Sequence, residues 1–196
     1  AFPRLTTRLQ PADGRVFGLD ARVEVRRRGL YGYINYGLAS VRYDAQQASL
    51  PLWFGVEQFR FRPAHDRRHQ LNVLAATRLV GVSFSARWQF GSGLPFNRAL
   101  GFDGFVLMDR GIDPFTDEGS RRVIYERPFN GVLPTYHRLD VEAERRFELG
   151  RVAMTVQASV LNAYGRRNIF YLDVFTLQRA DQLPLIPSFG LTLESL

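Results

Sequence analysis

Few residues in this sequence are able to do chemistry. Three histidines, His65, His69 and His137, are spaced unlike any zinc-binding set, and none sits in an HExxH frame. His137 stands three residues before Asp140, a spacing that period two puts on opposite faces of a strand. No Gly-x-Ser-x-Gly elbow or phosphate-cradling glycine loop occurs. Gly91-Ser92-Gly93 comes nearest, and it ends a strand pattern. Asp109, Asp113, Asp117 and Glu118 stand beside Gly111 and Gly119, but a calcium loop needs oxygen ligands at closer alternating positions. Cysteine is absent, which removes thiolate metal sites, cysteine nucleophiles and disulfides together. The expectation is no enzyme, no metal and no cofactor. The alternative is an active site assembled across strands, as in an outer-membrane lipase or protease, which linear motifs would not reveal.

Charge points the same way. Every one of the 26 basic residues is arginine, and the net charge is +7. A nucleic-acid stripe would keep one sign along one face. Here Asp20, Arg22, Glu24 and Arg26 alternate, and the densest cluster, Arg26-Arg27-Arg28, runs straight into Gly29, as a tight turn does. Nucleic acid is therefore not an expected partner; a basic soluble β-sandwich that binds polyanions is a further alternative.

The elements that must position these residues have period two, not 3.6. Phe17, Leu19, Ala21, Val23 and Val25 alternate with Gly18, Asp20, Arg22, Glu24 and Arg26. Val82, Phe84, Ala86, Trp88 and Phe90 alternate with Ser83, Ser85, Arg87, Gln89 and Gly91. Similar patterns predict seven strands, at about 15–27, 31–43, 67–78, 81–91, 136–148, 151–161 and 186–194. Arg28-Gly29, Val80-Gly81 and Leu149-Gly150 read as tight turns. Between them lie long connections, about 44–66, 92–135 and 162–183. No apolar run approaches the ~18 residues of a membrane helix. Short turns alternating with long loops are the habit of outer-membrane barrels, whose strands need ~9–11 residues to cross. The expected fold is thus all-β, an antiparallel transmembrane β-barrel wall with short periplasmic turns and long extracellular loops.

Each face then has a solvent. Phe17, Leu19, Val23, Val82, Phe84, Trp88, Val141, Val152, Val156, Phe189 and Leu191 are expected to face lipid. Asp20, Arg22, Glu24, Arg87, Gln89, Asp140, Glu142, Glu144 and Gln157 are expected to face a wet lumen. Tyr31, Tyr33, Tyr43, Trp88, Phe90, Tyr136, Phe147 and Tyr164 sit near strand ends, as interfacial girdles do. Ligand contacts are expected at lumen or loop residues Arg87, Gln89, Arg98, Tyr125, Asp140 and Glu142, with the 92–135 loop the longest and most mixed in chemistry.

From about Gly14 to Glu194 the chain resembles the C-terminal barrel portion of TonB-dependent outer-membrane receptors. The phrases that carry the likeness are Gly14-Arg15-Val16-Phe17-Gly18-Leu19, Tyr31-Gly32-Tyr33-Ile34-Asn35-Tyr36 and Asp66-Arg67-Arg68-His69-Gln70-Leu71-Asn72. They continue with Gly91-Ser92-Gly93-Leu94-Pro95-Phe96 and Leu133-Pro134-Thr135-Tyr136-His137-Arg138-Leu139-Asp140. Asn162-Ala163-Tyr164, Arg166-Arg167-Asn168 and Leu185-Ile186-Pro187-Ser188-Phe189-Gly190-Leu191 complete the set. The resemblance implies a share in an importer of a scarce small-molecule or glycan ligand, such as an iron chelate or cobalamin. It also implies partners: outer-membrane lipid of Gram-negative type, further barrel strands, a plug domain, and the TonB energy-coupling protein acting through an N-terminal part.

Residues 1–196 are accordingly expected to form the C-terminal part of one barrel domain. The start, Ala1-Phe2-Pro3-Arg4, reads as a mature or excised segment. Single-chain bacterial barrels have an even number of strands, so seven predict an incomplete ring with unpaired edges near Phe17 and Phe189. The stretch 168–175 is expected to be a hairpin arm of the last long loop. A small self-contained barrel, a passive pore or structural protein, is the alternative within the same class.

Overall fold

A computed structural model of the chain describes residues 12–46, 58–105, 120–125, 129–173 and 178–195. Its described part is all-β, with fourteen strands, and its sheets are antiparallel. The strands are β1 (Ala12–Arg27), β2 (Leu30–Gln46), β3 (Gln58–Phe61), β4 (His69–Leu79), β5 (Val82–Gly91), β6 (Pro95–Phe96) and β7 (Ala99–Phe105). They continue with β8 (Ser120–Tyr125), β9 (Gly131–Val132), β10 (Tyr136–Leu149), β11 (Val152–Leu161), β12 (Ile169–Leu172), β13 (Arg179–Asp181) and β14 (Ile186–Ser195). One eight-stranded sheet dominates, in the order β1-β2-β4-β5-β10-β11-β14, with β3 added on β2. Its seven long strands are the seven expected from the alternation.

The long connections carry more structure than their composition suggests. β3 extends the sheet beyond β4, β6 pairs with β9, and β7 pairs with β8. β12 and β13 form the expected hairpin arm. The ladder also extends β2 to Gln46, so the first connection starts later than residue 44.

Register sorts the side chains. The row Val23, Ile34, Val73, Trp88, Leu139 runs across five strands, and the next row on the same face is Val25, Gly32, Ala75, Ala86, Val141, Val160. The intervening row, Glu24, Tyr33, Leu74, Arg87, Asp140, belongs to the other face. Followed through all six pairings, the eleven apolar residues expected on one face share it, and the nine polar ones share the other. Nothing covers the apolar face among the described residues. Fourteen of the exposed large apolar side chains lie on it, including Phe17 (65 % exposed) and Phe189 (84 %), whereas of the strand residues facing the other way only Val16 and Ile186 are so exposed.

The three tight turns sit at one end of the sheet and the long connections leave from the other. Gly29, Gly81 and Gly150 all have positive φ. The third turn is Gly150-Arg151 rather than Leu149-Gly150, because Leu149 still pairs with Val152. Glycine therefore takes the first turn position there and the second in the other two. These turns are not level. Along the row Arg27, Leu30, Thr77, Phe84, Ala143, the first hairpin ends at Arg27/Leu30, the second ends two residues lower at Leu79/Val82, and the third ends six residues lower at Leu149/Val152. Six residues at ~3.3 Å, over four strand spacings of ~4.8 Å, make an angle of roughly 45° between the strands and the perpendicular to the line of turns.

Seven antiparallel strands also mean that β1 and β14, the two edges, run in the same direction. They do not pair with each other, and the sheet is open.

Val80 is out of place for a β-branched residue: its φ is +49°, next to Gly81 at +77°, and it is 93 % exposed. Both turn residues have the signs of a type I′ turn, which favours Asn-Gly. Val80→Asn should stabilise this hairpin by about 1 kcal/mol, since the left-handed region costs an ordinary L-residue ~1–2 kcal/mol. Slower amide exchange at Leu79 and Val82 would register the gain; unchanged or faster exchange would count against it.

Candidate functional site

The polar face brings most of the expected ligand residues together. Gln89 and Arg138 face one another across β5 and β10, as do Arg87 and Asp140, and Glu142 lies opposite Ser85. Gln89 Nε2 donates to Asn72 Oδ1 at 3.3 Å, and the Tyr136 hydroxyl donates to Gln89 Oε1 at 3.4 Å. Gln157 Nε2 donates to Glu142 Oε1 at 2.7 Å. Asp140 is held by Arg138 at 2.9 Å and accepts the Asn162 amide at 3.0 Å, so its carboxylate is committed to the fold. Arg98 lies apart, between β6 and β7. Tyr125 is brought to Ala99 by its backbone, and its side chain lies outside the described residues, as do residues 106–119 and 126–128 of the 92–135 loop where ligand contact was expected. Asp109, Asp113, Asp117 and Glu118 lie outside them too.

Two depressions open on this face. One, of about 560 Å³, is walled by Arg26, Tyr31 and Arg78 on one side and Ser85, Glu142 and Glu144 on the other. The second, of about 460 Å³, is lined by Asp20, Arg22, Asn35, Gly37, Gln70 and Asn72. Asn35 Oδ1 is buried there without a hydrogen-bond partner.

The aromatic residues divide in a way their positions along the strands did not indicate. Trp88, Phe90 and Phe147 are on the apolar face, but register puts Tyr31, Tyr33, Tyr43 and Tyr136 on the polar one. There Tyr31, Tyr33 and Tyr136 serve arginine rather than a girdle, and Tyr43 meets Phe61 and His65. Arg22 lies 4.6 Å over Tyr33, Arg26 5.4 Å over Tyr31, and Arg67 5.7 Å over Tyr136. A ring offers its negative face to a guanidinium and leaves the in-plane donors free.

Each histidine is engaged by a tyrosine. Tyr36 Oη and His69 Nδ1 are 2.8 Å apart, His137 Nδ1 and Tyr164 Oη are 2.7 Å apart, and the His65 ring meets Tyr43. His137 and Asp140 do point to opposite faces, as their spacing requires.

The loop end of the sheet holds what sequence reasoning missed. Among the described residues the buried polar or charged side chains are Asp66, Asn162 and Asn168; Asp66 and Asn168 stand in for backbone where a strand runs out, and Asn162 ties down the chain that leaves β11. On β2, pairing with β4 ends at Leu38/His69, and Ala39 N still reaches Arg68 O. The next inward amide, Val41 N, donates to Asp66 Oδ1 at 2.9 Å, and backbone pairing resumes with β3 at Tyr43/Phe61. A carboxylate thus fills one missing rung. On β10, Asn168 accepts from His137 N through Oδ1 and donates to His137 O through Nδ2, replacing a strand residue beyond the end of β11. Asn162, at φ +55°, accepts from Arg166 N and donates to the carbonyls of Arg166 and Leu183. Each of the three falls inside a phrase that carried the family likeness, but nothing in a linear pattern marks a polar residue as a rung.

Asp66 also meets Arg62 Nε at 2.5 Å and Arg68 at 3.5 Å. Burial alone would push its carboxyl up, but the Arg62 hydrogen bond, the Val41 amide and the two guanidinium charges outweigh it and hold the group below its ordinary value. A depressed carboxyl contributes stability that is present above the ordinary range, near 3.9, and lost as pH falls through the lower folded value. The Val41 amide should therefore stay protected at neutral pH and lose protection only in strong acid. Asp66→Ala should cost about 1–3 kcal/mol locally, the penalty of an orphaned buried donor. That corresponds to Val41 exchange faster by roughly 5- to 150-fold, and unaltered exchange would show that the rung carries no load.

No family model, curated protein or solved structure matches the chain, so what it does has to be read from the two faces, the stepped turns and the loop end.

Proposed function

We propose that the chain is a stretch of wall from a Gram-negative outer-membrane β-barrel. The observation that carries this is the step of the turns combined with the bare apolar face. If the turns share one plane, the strands lean by roughly 45°, within the range of strands in transmembrane barrels. A soluble sandwich would lay a second layer on the apolar face, and no described segment does so. Each large apolar side chain is worth ~1.5–3 kcal/mol when fully withdrawn from water, so fourteen at about half exposure forgo on the order of 10–20 kcal/mol. That matches the entire stability of a typical domain, ~5–15 kcal/mol. Lipid removes the deficit.

The arginines of the apolar face support the same reading. Arg27 and Arg145 lie near the turn end, and Arg15 and Arg42 near the loop end, with none in the middle rows. Such a charge costs ~2–4 kcal/mol at a bilayer midplane and little at an interface. Arg145 also lies over the Phe147 ring at 4.8 Å.

The wall belongs to a larger ring. Closing β1 on β14 would need a parallel seam in an otherwise antiparallel sheet, and leaving either edge in hydrocarbon strands backbone groups at several kcal/mol each. The open edges favour this over the small self-contained pore. The finer reading is a TonB-dependent receptor that imports a scarce ligand of the iron-chelate, cobalamin or glycan class, with a plug domain and the TonB protein as partners. It is supported by the strand-edge phrases and by the polar face, whose depressions, ringed tyrosines and arginines suit passage of a polar ligand.

Trp88 tests the wall. In a Trp53→Phe background refolded in micelles of a brominated detergent, Trp88 emission should be strongly quenched, while aqueous iodide has little effect. Quenching by iodide alone would overturn the reading. In the same micelles Val156→Arg should cost about 2–4 kcal/mol and Gln157→Arg close to nothing. Light scattering on the refolded wild type should find oligomers; a heat-modifiable monomer would bring back the small pore.

A further inference from the structure

Arg67 is an arginine of the polar face that has a ring beneath it and no ion pair among the described residues. It follows the buried Asp66 and leads into β4, and the Asp66 rung fixes the backbone from which it extends. Its side chain crosses the row Gln70, Gly91, Tyr136. A Cβ at Gly91 would fall 2.6 Å from Arg67 Nη1 and 2.9 Å from its Cδ, so glycine is what lets the chain lie flat there. The guanidinium ends 5.7 Å over the Tyr136 ring. Tyr136 is itself held by Gln89, which is held by Asn72.

The seat has every part except an anion. Arg67 is half-buried, and among the described residues no carboxylate lies within ion-pair distance of it. The nearest acids are spoken for. Asp66 is taken by Val41, Arg62 and Arg68, and Asp140 by Arg138 and Asn162. Asp20 shares the row but stands three strands from Gly91. The two other ring-stacked arginines of the face differ: Arg22 and Arg26 both stack on tyrosine and both reach Glu24. A ring beneath a guanidinium covers one face only, and the fork of N–H donors in its plane matches a bidentate oxyanion.

We propose that Arg67, seated on Gly91 and Tyr136, binds an oxyanion, a carboxylate or a phosphate, carried by a small ligand on the polar face. This names the group recognised, and it rests on the polar face being the ligand's path.

The test is a titration of the ¹⁵N-labelled full chain in detergent micelles, at constant ionic strength, with citrate, inorganic phosphate and chloride in separate arms. The amide resonances of Gly91 and Tyr136 should move saturably with citrate, with phosphate or with both, and not with chloride; the arm that saturates identifies carboxylate or phosphate as the source. Arg67→Gln should weaken that binding at least tenfold. Arg67→Lys, a point charge without the fork, should fall between the two. Gly91→Val should weaken it without removing any charge. No saturable shift with either anion, or equal affinity in Arg67→Gln, would overturn the proposal. Spectra in which the β10 and β11 amides keep their positions establish that the variants fold. Failure here with Trp88 still quenched by brominated detergent would sink the anion seat and leave the membrane wall standing.

Discussion

Every feature of this sheet depends on the backbone ladder being continuous. An unpaired amide or carbonyl away from water costs about as much as a lost hydrogen bond, so the ladder is kept up even where a strand runs out. The chain solves the problem twice with side chains: the Asp66 carboxylate replaces a rung of β2, and the Asn168 carboxamide replaces a pair of rungs of β10. The chemistry fits each vacancy. An amide alone needs an acceptor, which a carboxylate supplies; an amide and a carbonyl together need one acceptor and one donor, and a carboxamide carries both side by side, as a peptide group does.

Continuity of register has a second effect. Since side chains alternate strictly, one correct pairing fixes the face of every residue on the neighbouring strand. Six correct pairings carry that choice from Arg22 on β1 to Gly190 on β14 without a slip. Ion pairs contribute little to it. Arg22, Glu24 and Arg26 lie along one strand and are substantially exposed, as are Arg146 and Glu194. Pairs of that kind are worth ~0–1 kcal/mol each. They balance the charge of the polar face; backbone hydrogen bonds and the sorting of apolar from polar residues hold the sheet.

The seven long strands were legible because alternation such as Val82-Ser83-Phe84-Ser85 is a local signal that tertiary context reinforces. The turns were legible from glycine, to within one residue at Gly150. The tyrosines were not. Tyr31 and Tyr33 carry both an apolar ring and a polar tip, so their types suit either face, and only their register with Arg26 and Glu24 decides it. The buried rungs were illegible for another reason. Asp66 in Asp66-Arg67-Arg68 reads as one more solvated charge, and its burial follows from an amide that is twenty-five residues away in sequence. Gly91 read as the end of a strand, and what its missing Cβ makes room for comes from the preceding loop.

Past the pair Leu38/His69, β2 runs on for eight residues with β1 on one side and β3 on the other. At ~3.3 Å per residue this is a ribbon reaching about 25 Å beyond the paired end of β4. Mechanically it is a cantilever. A load at its tip exerts its greatest bending moment at the root, and the root is the place where Val41 is pinned by a single side chain. On the side away from β1, the beam is thus held at its base by the Ala39–Arg68 backbone bond and one carboxylate clamp.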